Sequence, residues 1–312
     1  MTLCPICGQE VADDKLCARG HPRIEVHGQT YVHANYRANI IVEPSHPTLV
    51  AQAKRTGRIG NENSEDALTW NVFRSIEWLG LTGPVVGELF GLGEEVTIYC
   101  WMYPRSEPLW SPYADAWRAL EPGPRRRHSE PDLVLVDEAH RRFVTLEPKF
   151  GSPVAESRGP DWLVAKEYDQ HRRTMIRRGY ALGDPGSQLL KSWEDSMRRG
   201  FYQLTRQMLF GNYIAQQHGY KFHLYSLISP GTNPDNEGLC RTFESLLTTA
   251  RREHYGWLTW RQVYDAIVAN ADRIPADRQT HLGILGCYLR DKTFNCAPAH
   301  LLDLEDTGKG QG

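Results

Sequence analysis

Two carboxylates and a lysine in the middle of the chain have the types and spacing of a metal-assisted hydrolytic site. Asp132 follows Pro131, and further along Glu147 and Lys149 flank Pro148. Carboxylate oxygens are the ligands that Mg2+ prefers, and a bound ion acidifies water and stabilises charge on phosphoryl oxygens. A neighbouring lysine can orient that water or stabilise the charge of the transition state. The three residues predict phosphodiester hydrolysis with Mg2+ or Mn2+.

A predicted β-hairpin brings these residues together. Leu133–Val136 is an apolar run, and residues 142–149 alternate with strand periodicity, so a turn lies between them. A tight hairpin sets the start of its first strand beside the end of its second, which puts Asp132 near Glu147 and Lys149. Pro148 predicts that the second strand ends or bulges there. The structural alternative is that Asp132 caps a strand and Glu147 pairs with Lys149 on a solvated sheet face.

The motif Pro131-Asp132, followed by Glu147-Pro148-Lys149, resembles that of the PD-(D/E)xK nuclease superfamily, the fold of many restriction endonucleases and recombination nucleases. The order of predicted elements over residues 60–230 is similar too: a leading helix, a hairpin, a helix and a strand. The resemblance implies a Mg2+-dependent endonuclease, with DNA a better substrate than RNA, in bacterial restriction or mobile-element defence.

The same resemblance implies roles for residues on the flanking helices. Many members carry an acidic residue on the leading helix that contacts the metal shell, and here Glu65 is the candidate. Members often carry a polar residue on the helix after the motif, where Gln203 and Gln207 lie one turn apart. We therefore add Glu65 and Gln203 to the predicted catalytic set, with Glu65 also a Mg2+ ligand beside Asp132 and Glu147.

The periodicities predict an α/β fold with a mostly helical C-terminal region and a small N-terminal zinc-binding module, and the resemblance implies that the α/β part is a restriction-endonuclease-like mixed sheet flanked by helices. The helix that begins at Asn63 or Ser64 carries one apolar stripe, and Gly80 ends it. The other predicted elements are a strand over 95–101, a loop over 104–130, a helix over 193–217, a strand over 221–228 and helices over 240–252 and 260–270. The predicted domains are residues 1–40 (zinc-binding), 60–230 (nuclease-like core) and 231–312 (helical).

The first residues of the chain carry a zinc-ligand pattern. Cys4 and Cys7 form a C-x2-C knuckle, and Cys17 precedes His21 across Gly20, where the backbone can turn. Three thiolates and one imidazole close a tetrahedron around a structural Zn2+ and leave no position for substrate. His27 and His33 are alternative fourth ligands. The cluster resembles zinc ribbons and knuckles of nucleic-acid enzymes.

Arginines surround the predicted site in sequence although the net charge of the chain is -2. Such a local excess of positive charge is suited to phosphate contacts that add affinity without sequence readout. The alternative is an ordinary solvated surface. The predicted nucleic-acid contacts are Arg125, Arg126, Arg127, Arg172, Arg173, Arg177, Arg178, Arg199 and Arg206.

The sequence also gives expectations about the cellular location of the protein and its binding partners. No apolar run is long enough to span a bilayer, and the N-terminus lacks a signal-peptide pattern. An odd number of cysteines, seven, favours metal-binding thiolates over a disulfide framework. We therefore expect a cytoplasmic protein without a membrane partner, either a homodimer or a subunit of a defence system.

Two other functions stay open from the sequence. The first is a non-catalytic nucleic-acid-binding or assembly subunit that retains the nuclease fold, which gains weight if Glu147 and Lys149 do not converge with Asp132. The second is a metalloenzyme that acts on a small phosphate ester, for which a deep and narrow pocket would be the sign.

Replacing Cys4 or Cys17 with Ser should lower both the bound zinc and the melting temperature, because metal binding at a structural site supplies folding free energy. Metal analysis and thermal unfolding of the purified variants measure the two effects. Native protein that contains intact thiols and no zinc would refute the site.

Overall fold

A computed structural model describes most of the chain beyond the N-terminal cluster. The described residues are 2–3, 10–11, 24–27, 30–33, 35–42, 56–101, 110–121, 131–155, 189–191, 195–196, 199–295 and 297–302. They fall into two compact units. The first comprises residues 1–89, 229–234 and 259–312, and the second comprises residues 90–228 and 235–258. This division groups the chain differently from the predicted domains, whose boundaries stay predictions.

The described residues form both strands and helices. The strands are β1 (Thr2–Leu3), β2 (Glu10–Val11), β3 (Ile24–His27), β4 (Thr30–His33), β5 (Thr97–Cys100), β6 (Leu133–Asp137), β7 (Arg142–Pro148), β8 (Lys221–Ile228), β9 (Tyr255–Thr259), β10 (Thr293–Phe294) and β11 (Ala297–Pro298). The α-helices are α1 (Thr56–Ile59), α2 (Glu65–Trp78), α3 (Glu88–Phe90), α4 (Ser111–Leu120), α5 (Tyr202–His218), α6 (Asn236–Leu246), α7 (Thr249–Arg252), α8 (Trp260–Ala269) and α9 (Gln279–Arg290). A π-helix spans Thr82–Gly87, and 3-10 helices span Tyr36–Asn39, Ala271–Arg273 and Ala276–Arg278.

A mixed sheet is the centre of the second unit. In the described part of the chain it has five strands, in the order β5-β6-β7-β8-β9. The strands β5, β6 and β7 pair antiparallel, and β7 pairs parallel with β8. The β6–β7 hairpin is as the sequence predicts, with Leu133 opposite Leu146 and Asp137 opposite Arg142. Because parallel neighbours need a long crossover, the chain between β7 and β8 passes through α5 before it returns.

One face of this sheet is covered by α4, α5 and α6. The residues of β6 and β7 that point to it, among them Val134 and Phe143, share an apolar core with all three helices. Tyr113 of α4 stacks on Phe210 of α5, with ring centroids 5.2 Å apart. The α5 helix ends at Gly219, whose left-handed φ of 69° suits a residue without a Cβ atom. These helices therefore determine which side chains contact this face of β7.

The first unit is built around α2 and α9, which pack against each other. The side chain of Ser64 caps α2 by accepting a hydrogen bond from the Ala67 backbone N–H at 3.0 Å, as the sequence predicts. A capping box of Thr259 and Gln262 begins α8. Among the described residues, no helix is both long enough and apolar enough to cross a membrane.

The structure corrects four of the predicted elements. The predicted loop over 104–130 contains α4, where Pro112 occupies the first turn of the helix, the position that proline tolerates. The helix predicted over 193–217 is interrupted at Gly200, whose φ is 80°: Asp195 and Ser196 are helical, and α5 begins at Tyr202. The helix predicted over 240–252 breaks between α6 and α7, where Leu247 is extended. The C-terminal region predicted as mostly helical contributes β9 to the sheet.

The close approach of α5 to β8 gives a test of this packing. A Cβ atom added at Gly211 would lie 2.3 Å from the Phe222 ring, so Gly211→Ala must move a buried aromatic side chain. We expect it to lower the free energy of unfolding by about 1–3 kcal/mol.

The matched control is Gly283→Ala, since Gly283 lies in α9 with open space at its Cβ position. There the higher helix propensity of alanine should raise stability by about 0.5–1 kcal/mol. Urea unfolding of both variants measures the difference. Equal effects at the two glycines would disprove the tight contact.

Candidate active site

The end of β7 places Glu147 and Lys149 on the helix-covered face of the sheet. Strand alternation puts Thr145 and Glu147 on the face that carries Phe143. The strand ends at Pro148, as its missing N–H predicts. The backbone nevertheless continues beside β8, because the Lys149 N–H donates to the Leu227 carbonyl at 2.6 Å. Lys149 therefore stays on the same side of the sheet as Glu147.

Glu147 and Lys149 form an ion pair that is almost fully buried. Lys149 Nζ lies 2.8 Å from Glu147 Oε1, and the two side chains are 6% and 4% exposed. The alternative of a solvated pair is therefore wrong: the pair forms, but α5 covers it. Burial is what separates this arrangement from an ordinary surface salt bridge, whose net contribution is small.

Two glutamines of α5 complete the shell around the ion pair. Lys149 Nζ donates to Gln203 Oε1 at 2.9 Å, and Gln207 Nε2 donates to Glu147 Oε2. The two glutamines are one helical turn apart, so both reach the end of β7. Gln207 Oε1 is buried and has no hydrogen-bond partner. Both oxygens of Glu147 thus have donors, while one acceptor of the shell is left for a ligand or water.

Asp132 occupies the neighbouring position on β6. The register pairs Leu133 with Leu146, so one residue further out Asp132 adjoins the Glu147 position, although β6 itself begins at Leu133. The Asp132 carbonyl accepts from the Trp101 N–H at 3.0 Å, and the backbone at Asp132 is a bend just before β6. Directly opposed residues share a face of the sheet, with Cβ atoms about 4.5–5.5 Å apart. Asp132 is partly exposed, so it lies on the solvent side of the buried pair.

The predicted contribution of Glu65 stays a prediction. Glu65 is the first residue of α2 and belongs to the first unit, whereas Asp132, Glu147, Lys149 and Gln203 belong to the second. The element that carries Glu65 is as predicted, with Ser64 as its cap.

A second buried polar group lies behind Glu147 on β8. Ser226, the β8 residue paired with Glu147, hydrogen-bonds the Tyr255 hydroxyl at 2.9 Å. Burial, with the nearby Cys240 thiol, raises the pKa of Tyr255 well above its ordinary value. The Ser226 hydroxyl and the Tyr255 phenol on this side of Glu147 are therefore both uncharged. The sequence pattern did not indicate this contact, which joins two distant segments.

Arg199 and Arg206 are the predicted phosphate-contacting residues that lie in the described part of the chain. Arg206 forms an ion pair with the buried Glu121, and its guanidinium lies over the Tyr202 ring at 5.3 Å. Arg199 is exposed in the turn before α5. Arg206 thus has a structural role in the second unit, and its phosphate contact stays a prediction. Arg125–Arg127, Arg172, Arg173, Arg177 and Arg178 lie outside the described residues.

The predicted zinc ligands Cys4, Cys7, Cys17 and His21 also lie outside the described residues. Among the residues that the structure describes, no group of three or more His, Cys, Asp or Glu side chains could hold a metal ion. Of the alternative fourth ligands, His27 ends β3 and His33 ends β4, and these strands form a hairpin. The Nδ1 atom of His33 is buried without a hydrogen-bond partner, and burial, with Lys292, lowers its pKa to about 4. The zinc site stays a prediction.

No protein-family model, curated protein or solved structure matches this chain. The residues Asp132, Glu147 and Lys149 and their neighbours therefore carry the functional interpretation on their own geometry.

The burial of the ion pair predicts strong coupling between its members. Lys149→Met leaves the Glu147 carboxylate buried with Gln207 as its donor, and we expect a loss of about 3–5 kcal/mol in unfolding free energy. The double variant Lys149→Met, Glu147→Gln removes both charges and should lose less than the single lysine variant. Urea unfolding of both single variants and the double variant gives the coupling energy. Additive losses would contradict a coupled pair.

Proposed function

We propose that this protein is a metal-dependent endonuclease that hydrolyses phosphodiester bonds, with DNA as its substrate and Mg2+ or Mn2+ as its catalytic ion. The observation that carries the proposal is the buried ion pair of Glu147 and Lys149 at the end of β7, beneath α5. Asp132 directly precedes β6, the strand paired with β7, so we infer that its carboxylate lies near this pair. Two carboxylates and an ammonium at one point are the groups that phosphodiester hydrolysis needs.

The energetics of the ion pair support a functional role over a stabilising one. Removing two charges from water costs several kcal/mol each, and replacing a buried pair by apolar residues is often neutral or stabilising. Packing alone therefore does not account for Glu147 and Lys149 at this buried position.

The donor set fits Mg2+ or Mn2+. Asp132 and Glu147 offer oxygen ligands on one face, and Mg2+ is commonly held by one or two carboxylates together with waters and substrate phosphate. The unpartnered Gln207 Oε1 adds an acceptor that a metal-bound water can satisfy. When bound, the ion would supply charge stabilisation and an acidified water.

Each side chain then has a task of its own. Asp132 and Glu147 hold the ion, and Asp132 is the more exposed of the two residues. The Lys149 ammonium stabilises the charge that develops on the phosphoryl oxygens. Gln203 holds Lys149 and Gln207 holds Glu147, so the two glutamines keep the charged groups oriented before substrate arrives.

The remaining parts of the proposal rest on the sequence. The resemblance to PD-(D/E)xK nucleases favours DNA over RNA and suggests restriction or mobile-element defence. We assign the arginines to the phosphate backbone, the N-terminal Cys/His cluster to a structural Zn2+, and Glu65 to the metal shell. Metal-binding thiolates suit the reducing cytoplasm, where we place the protein as a homodimer or with a partner subunit.

Asp132→Asn and Glu147→Gln should abolish cleavage of DNA, because each removes a charged metal ligand at nearly constant size. Lys149→Gln should keep metal binding and lower the cleavage rate by about hundredfold or more. The measurement is cleavage of plasmid, linear and single-stranded DNA, and of RNA, with Mg2+, Mn2+ or EDTA.

Two controls accompany this assay. Glu237→Gln removes an exposed carboxylate of α6 in the same unit and should leave the rate unchanged. The shift of the melting temperature with Mg2+ should disappear in Asp132→Asn, which reports metal binding apart from activity. Cleavage that persists in both carboxylate variants would show that the active site lies elsewhere in the protein.

The second candidate is a nucleic-acid-binding subunit that retains this arrangement without cutting. It is favoured by one observation: both oxygens of Glu147 already accept hydrogen bonds, from Lys149 and Gln207. If the ion pair is purely structural, DNA binding in Ca2+ should persist while no divalent ion supports cleavage. The same assay distinguishes the two candidates.

A further inference from the structure

The first unit contains a cavity of about 240 Å3 with a buried lysine in its wall. Lys292 is 5% exposed, and its Nζ atom lies 3.2 Å from the Tyr288 hydroxyl and 3.5 Å from Asn39 Oδ1. The nearby Glu62 carboxylate is buried as well and accepts from the Thr293 hydroxyl. An amine, a phenol and a carboxylate thus line one cavity of the first unit.

We propose that this cavity binds a small uncharged aldehyde or ketone and that the amine of Lys292 forms an imine with it. The apolar part of the lining, Ala38, Ile41 and Ile284, suits the hydrocarbon part of such a molecule. The acidic members of the lining, Glu62 and Asp291, disfavour an anionic ligand by charge repulsion.

The environment of Lys292 supplies the neutral amine that this reaction requires. Burial lowers the pKa of Lys292 to about 7 against the opposing effect of Glu62, so a large fraction is neutral near neutral pH. Lysines desolvated in this way are the nucleophiles of imine-forming sites. Burial raises the pKa of Tyr288, so its hydroxyl keeps its proton and can donate to a carbonyl oxygen.

The reaction balances without an oxidant or a reductant. The Lys292 nitrogen forms a bond to the carbonyl carbon, and the electron pair of the C=O π bond moves to oxygen, which takes up a proton. The nitrogen loses its proton to the Glu62 carboxylate. The resulting carbinolamine then expels its hydroxyl group with a proton as water, and a C=N bond forms between Lys292 and the ligand.

Reductive trapping on the full chain tests this inference. The protein is treated near neutral pH with propanal and cyanoborohydride, which fixes the imine as a secondary amine, and the modified lysines are mapped by peptide mass spectrometry. Lys292 should be modified at least about tenfold faster than the exposed Lys221, because an ordinary exposed lysine is almost fully protonated at this pH. Modification of Lys292 that is no faster than that of Lys221 overturns the proposal.

Two variants test the cavity itself. Ala38→Phe fills the cavity from an exposed position and should abolish the preference for Lys292, whereas Ala276→Phe, an exposed alanine in another 3-10 helix, should not. Tyr288→Phe keeps the ring and should slow modification of Lys292 by about tenfold, with no change at Lys221. Unaltered rates at Lys292 in both Ala38→Phe and Tyr288→Phe would show that the cavity plays no part.

The charge of the ligand is tested with glyoxylate, an anionic aldehyde. The ratio of Lys292 to Lys221 modification should be lower with glyoxylate than with propanal. A higher ratio would overturn the assignment to an uncharged ligand. All of these readouts are independent of nucleic-acid cleavage, so the failure of either proposal leaves the other in place.

Discussion

The desolvated ion pair between Glu147 and Lys149 is the interaction on which the second unit depends. Its two charges lie at the end of the middle strand of the sheet, where β8 flanks them and α5 covers them. Such a pair is tolerated only when its remaining hydrogen-bonding atoms are satisfied. The two glutamines on successive turns of α5 meet that requirement, so the position of this helix and the state of the ion pair are linked.

Close helix–sheet packing keeps those glutamines in place. Gly211 lies one turn beyond Gln207, and the absence of a Cβ atom there lets the Phe222 ring approach the helix. The contact sets the distance of α5 from the sheet, and α4 fixes the same helix from its other side through Tyr113 and Phe210. A shift of α5 would therefore break two hydrogen bonds together, the one that Lys149 donates to Gln203 and the one that Gln207 donates to Glu147.

The two buried lysines differ in their partners, and this difference separates their proposed chemistry. Lys149 forms an ion pair with a carboxylate, its Nζ atom 2.8 Å from Glu147 Oε1. Lys292 hydrogen-bonds a phenol and an amide oxygen at longer distances, and burial is the largest influence on its pKa. The first is suited to stabilise negative charge, and the second is suited to act as a nucleophile.

The elements with local signals could be predicted from the sequence alone. The apolar alternation predicts the β6–β7 hairpin and β8, Ser64 predicts the start of α2, and Pro148 predicts the end of β7. The hairpin alone suffices to place Asp132 opposite Glu147, because antiparallel pairing across a short turn leaves little freedom in register.

Which residues cover and complete these elements depends on long-range packing. Strand alternation predicts that Glu147 and Lys149 share a face of the sheet. Whether solvent reaches that face depends on α5, whose Gln203 is 54 residues from Lys149 along the chain. The cavity around Lys292 joins Asn39, Glu62 and Tyr288, which belong to separate segments with no common periodicity. Contacts of this kind follow from the packing of whole elements and leave no pattern in a local window of sequence. The α4 helix was missed for the same reason: its buried tyrosine and tryptophan acquire their meaning from the Phe210 ring and the sheet that they contact.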